Sequence, residues 1–155
     1  MGDIMDILKS LIERFSKSKQ KIKEEQYFKR NRYKKEEILD VFEKIETIDK
    51  TINLDITSDE TLEMHVDEKQ AITRDLIKEI LAEIPIFDNY IQDFCELNYN
   101  KSSYSAKNYM VSLAWISIEQ EKVIMRYWGE YVNIELEAIF TKKNLKWENK
   151  DIYYC

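Results

Sequence analysis

Glu135 and Glu137 are the residues of this chain most open to chemistry. They stand two apart in a strand-like run, which puts both carboxylates on one face about 7 Å apart at the backbone. Such a pair suits general acid/base work. Nothing accompanies it, however: the run 123–140 holds no His, no Cys and no nucleophile with a base beside it. His65 is the only histidine. It alternates out of phase with Leu62, Met64 and Val66, so it points to the face opposite theirs and reads as a surface residue. Cys95 and Cys155 are distant from each other and from His65. They read as free thiols rather than a bridge, a catalytic thiol or a zinc site. The two glycines, Gly2 and Gly129, exclude a glycine-rich phosphate cradle. No catalytic residue, metal ligand or cofactor site is predicted, and the chain is not expected to be an enzyme.

Binding chemistry is better represented. In "VIMRYWGEYVNIELEAIF", residues 123–140, two strand-like runs flank Gly129. Gly129-Glu130 fits a two-residue type II′ hairpin turn. The register that follows sets Trp128 opposite Tyr131, Arg126 opposite Asn133 and Ile124 opposite Glu135. One face then carries Val123, Met125, Tyr127, Val132, Ile134 and Leu136 and belongs to the core. The other carries Ile124, Arg126, Trp128, Tyr131, Asn133, Glu135 and Glu137, with Arg126 in diagonal reach of Glu135 or Tyr131. Trp, Tyr and Arg are the types enriched at binding hot spots. The same residues also suit a half-exposed sheet whose aromatics only support pairing.

Charge is divided along the chain. The net charge is −6, but residues 1–35 carry +6, residues 36–99 carry −13 and residues 100–155 carry +1. An acidic stretch of this size is either a solvated face or a surface for a basic partner. Asp59, Glu60, Glu63, Asp67 and Glu68 concentrate around one predicted hairpin and the next helix start, and are candidate partner contacts. The negative total speaks against nucleic acid, since only the basic N-terminal stretch could meet phosphates.

The elements that must position these residues follow from periodicity. With 155 residues and 44% hydrophobic content, one domain with its own core is expected, as a basic helical or linker segment over 1–35 and a core over 36–155. Ile4, Ile7, Leu8, Leu11, Ile12 and Phe15 recur at helical spacing, so 3–16 is an amphipathic helix, expected to pack on its own domain. A second helix runs from Glu36 to about Thr47. Ile52, Leu54, Ile56 and then Leu62, Met64, Val66 alternate and predict a hairpin. Asp67 is placed to cap a helix over 68–84, and Pro85 to end it or to begin another over 85–97. Four strand runs follow, 109–118, 122–128, 131–140 and 145–154. The fold expected is α+β: N-terminal helices, a small β-hairpin, two central helices and a four-stranded antiparallel C-terminal meander. No apolar run reaches the ~18 residues of a membrane span, and the start lacks a secretory pattern. A cytoplasmic protein without stable membrane association is expected.

"ILAEIPIFDNYIQDFC" (80–95) followed by "VSLAWISIEQEKVIMRYWGEYVNIELEAIFTKKNLKWENKDIYY" (111–154) resembles a group of small bacterial immunity-protein-like domains. The residues that carry the resemblance are Tyr127, Gly129, Val132, Asn133, Glu135, Leu136, Lys146 and Trp147. The chain departs from the pattern at Ile134, where Thr is usual, and at Leu145, where Gly is usual. The resemblance implies a protein that binds a cognate toxin and blocks it inside the producing cell. If that toxin is a nuclease with a basic active site, the acidic residues above would occlude it, with Arg126, Trp128, Tyr131 and Glu135 as further contacts. An adaptor acting through the basic N-terminal amphipathic helix is the alternative reading.

Overall fold

Alternation at period two forms strands β1 (Thr51–Thr57) and β2 (Glu60–Val66), as expected. It forms β3 (Val111–Ile118), β4 (Lys122–Gly129), β5 (Glu135–Lys143) and β6 (Lys146–Tyr154) as well. The computed structural model describes residues 4–12, 28–57 and 60–155. Its six strands lie in one sheet, in chain order from β1 to β6. The sequence had placed the first hairpin apart from a four-stranded meander. Instead β2 pairs in parallel with β3, and every other neighbour pair is antiparallel. A parallel pair needs a long crossover, and the helical stretch between β2 and β3 supplies it. The α+β class holds, with a larger mixed sheet.

Among the described residues three α-helices are present: α1 (4–12), α2 (Lys35–Glu43) and α3 (Arg74–Asn100). The two central helices expected on either side of Pro85 are a single helix. A proline inside a helix costs about 3 kcal/mol. The buried stripe Ile77, Ile80, Leu81, Ile84, Phe87, Ile91 and Cys95 keeps one helical phase straight through Pro85. Each such side chain gains about 1.5–3 kcal/mol on burial, so the stripe outweighs the lost bond. The helix also begins later than expected. Thr73 is its N-cap, accepting from the Leu76 N–H at 3.1 Å, whereas Asp67 accepts from the Lys69 N–H at 3.0 Å in the preceding turn.

Helices α2 and α3 cover one face of the sheet. Phe87 stacks on Phe140 of β5 with ring centroids 4.0 Å apart and meets Trp147 of β6 edge-on. Ile38 and Phe42 of α2 are fully buried in the same core as Leu54, Leu62 and Met64. Arg74 joins the helices: it donates to the carbonyls of Ile45 (2.5 Å) and Phe42 (3.0 Å), and its guanidinium lies over the Phe42 ring. The Phe42 carbonyl is in the last turn of α2, where carbonyls lack i+4 partners, and it also accepts from the Ile45 N–H at 2.9 Å.

The end of the basic N-terminal segment is a strap. Phe28 and Tyr33 are buried. Arg30 pairs with Asp93 (2.5 Å) and Glu96 of α3, the Asn31 N–H donates to Asn89, and Arg32 pairs with Glu60 at 2.9 Å. Part of the charge division along the sequence is therefore internal pairing. The apolar residues of α1 behave otherwise. Ile4, Met5, Ile7, Leu8, Leu11 and Ile12 are 49–67% exposed, so the expected packing of this stripe on its own domain is not found. Among the described residues no helix is long and apolar enough to cross a membrane.

Candidate functional site

The face of the sheet away from α2 and α3 carries the candidate site. Its centre is set by the β4–β5 register, which pairs Trp128 with Glu135, Arg126 with Glu137 and Ile124 with Ile139. The two-residue turn expected at Gly129-Glu130 is replaced by a longer loop, closed by the Gly129 N–H donating to the Ile134 carbonyl at 2.8 Å. Gly129 does not take a positive φ. It is glycine because a Cβ there would lie 2.1 Å from the Val132 carbonyl oxygen and 2.8 Å from the Ile134 side chain. The register differs from the expected one by four residues. An even shift leaves every side chain on its original face, so Val123, Met125, Tyr127 and Leu136 are buried while Arg126, Trp128, Glu135 and Glu137 share the other face.

A bulge completes the site. The β3–β4 register slips between Leu113 and Trp115. The extra residue, Ala114, turns Trp115 onto the open face directly opposite Arg126, the kind of re-aiming that bulges produce. The result is a row of side chains across five strands. The His65 ring of β2 meets Trp115 of β3 edge-on at 6.3 Å. The Arg126 guanidinium of β4 lies 5.3 Å from the Trp115 ring centre. Arg126 pairs with Glu137 of β5 and, at 3.5 Å, with Glu135. The Tyr153 hydroxyl of β6 donates to Glu137 at 2.5 Å, and this hydrogen bond, with burial as a smaller cause, pushes the Tyr153 phenol up to about 12. Trp128 flanks the row, edge-on to Trp115 at 5.6 Å. Sequence reasoning missed Trp115, His65 and Tyr153 as members of the row. The bulge that aims Trp115 has no signal in "SLAWIS".

Trp128 is 53% and Tyr131 59% exposed. With Gly129–Glu135 they line an open cleft of about 470 Å³ at the β4–β5 loop. Lys107 lies over the Tyr131 ring at 5.1 Å. Of the residues singled out from sequence, the structure thus brings together Arg126, Trp128, Tyr131 and Glu135. It does not gather the acids. Glu60 is engaged by Arg32 and faces the Tyr33 hydroxyl at 3.5 Å. Glu63 lies on the open face beside His65 at 3.4 Å. Asp67 and Glu68 are at the other end of the hairpin, with Lys50 3.4 Å from Glu68. Asp59 lies outside the described residues.

The two glutamates first considered for acid/base work are both engaged by Arg126, and Glu137 is only 9% exposed. Geometrically they form a clamp around a guanidinium. Among the described residues no group of three or more His, Cys, Asp or Glu is arranged to hold a metal. A second polar cluster lies under the opposite face. Asp88 of α3 is buried and accepts from the Tyr127 hydroxyl at 2.6 Å. Burial raises its carboxyl to about 6, against the lowering effect of that hydrogen bond. Burial likewise pushes the Cys95 thiol up to about 12. Neither group opens onto the site.

No family model, curated protein or solved structure matches this chain.

Proposed function

We propose that this chain is a non-enzymatic protein-binding domain, and specifically an immunity protein that neutralises a cognate bacterial toxin through its open sheet face and the β4–β5 loop. One observation carries the reading: the tryptophan–arginine–carboxylate row lies on a sheet face that α2 and α3 leave free, with Trp128 and Tyr131 standing out of it. Exposed aromatics beside a fixed arginine are the usual anchors of an interface. The clamp holds Arg126 in place before binding, which lowers the ordering cost on association. Around that one guanidinium stand two carboxylates, so the local surface favours a partner of positive charge. The acids of the first hairpin take a smaller part than the sequence suggests, because Glu60 is already paired within the fold. The toxin-specific part of the reading rests on the resemblance described above.

The experiment is co-expression. Cells producing a toxic domain encoded beside this chain's gene should grow when the chain is present. They should stop growing when it carries Trp128→Ala with Tyr131→Ala. Full protection by that variant, or none by the wild type, would refute the reading.

The exposed stripe of α1 favours a second, compatible use of the chain as an adaptor acting through its N-terminal helix.

A further inference from the structure

Helix α1 carries six apolar residues in nine positions. At 100° per residue, Ile4, Met5, Ile7, Leu8, Leu11 and Ile12 occupy one arc of about 160°. All are exposed, while Asp6, Lys9 and Ser10 take the other side. Such a stripe must be covered by something else. A second copy of α1 is a poor cover. The nine described residues of α1 span about 14 Å, and two such stretches would bury far less than the ~1,200 Å² of a small stable interface.

Charge indicates a better one. The ten residues from Arg14 to Lys23 contain Arg14, Lys17, Lys19, Lys21 and Lys23 and no acid. The cations from Lys29 to Lys35 belong to the strap and to the start of α2, so the positive charge free to act beside α1 is that of Arg14 to Lys23, while residues 36–99 are net −13. An anionic surface would attract the first and repel the second. Membrane binding that is weak with one signal becomes useful when an apolar insertion and a polybasic stretch act together.

We propose that α1 is a reversible, peripheral anchor to anionic lipid, lying in the interface with its apolar arc among the acyl chains. It spans nothing and leaves the open sheet face free. It goes beyond the toxin-binding reading and does not depend on it.

The test is sedimentation of the full chain with vesicles of phosphatidylcholine, or of phosphatidylcholine mixed with phosphatidylglycerol. Partition onto the anionic vesicles should exceed that onto the neutral ones by about tenfold or more and should fall as NaCl rises. Leu8→Asp with Leu11→Asp should abolish it and leave the melting temperature of the body unchanged. Equal partition onto both vesicle types, no partition at all, or partition indifferent to the double variant would overturn the proposal. So would a lowered melting temperature, which would mean that α1 packs on the body. Sedimentation velocity without lipid covers the remaining case: a dimer dissolved by the double variant would assign the stripe to a second copy of the chain.

Discussion

Arg126 of β4 and Glu137 of β5 face each other across the sheet and form an ion pair on a nearly closed patch of its open face. The pair is held from both sides, by Trp115 against the guanidinium and by the Tyr153 hydroxyl on the carboxylate. Removing one partner leaves the other charge without its counter-ion, which costs more than the pair contributes. Arg126→Ala should therefore destabilise the fold by about 1–3 kcal/mol in urea unfolding. A double-mutant cycle with Glu137→Gln should show a coupling of at least about 0.5 kcal/mol. Additive effects of the two changes would mean that the clamp is not a unit.

Gly129 should not tolerate a side chain. The 2.1 Å approach to the Val132 carbonyl forces backbone to move, so Gly129→Ala should cost about 1–3 kcal/mol of stability. It should also disturb the Trp128–Tyr131 loop. A neutral result in thermal unfolding would show that the loop can relax.

Asp88 gives a pH dependence with a definite sign. Its folded pKa of about 6 lies above the ordinary 3.8, so between those values the native state holds a proton that the unfolded chain gives up. Its contribution favours folding on the acid side and is lost as pH rises through about 6. Asp88→Asn should then be more stable than the wild type at pH 7.5, by on the order of 1–3 kcal/mol. The gap should narrow towards pH 4.5. Chemical denaturation at the two pH values checks this, and a variant less stable at pH 7.5 would show that the Tyr127 hydrogen bond to the ionised carboxylate outweighs its burial.

Glu60 and Glu63 should separate cleanly. Glu60→Gln weakens the Arg32 pair that ties the strap to β2 and should lower the melting temperature by a few degrees. Glu63→Gln, on the open face beside a half-exposed histidine, should leave it within error. Equal effects would contradict the division between a structural and a surface acid.

Strand and helix types were legible in the sequence because the chain's periods are clean. The faces of β4 and β5 were legible too, even though the turn at Gly129 was read as a tight hairpin, since the actual register differs by an even number. What could not be read was set by tertiary contact. The parallel β2–β3 pairing joins strands separated by the whole of α3. Pro85 looks like a boundary locally, and only the unbroken phase of Ile84 and Phe87 argues otherwise. Arg30 and Arg32 lay in a stretch legible only as a basic helix or linker, and it is the fold that lays them against Asp93 and Glu60. Trp115 depends on a bulge that its neighbours do not announce.

The central claim is that the open sheet face is the binding surface. Its most direct measurement is the kinetics of association, by stopped flow, with a toxic domain against which the chain protects cells in the co-expression experiment. The account predicts that Trp128→Ala and Tyr131→Ala each speed dissociation by about thirtyfold or more with unchanged melting temperature. Glu63→Gln should slow association only modestly, and Leu8→Asp with Leu11→Asp should change neither rate. Dissociation indifferent to both aromatic changes, with binding lost instead on altering α1, would contradict the account.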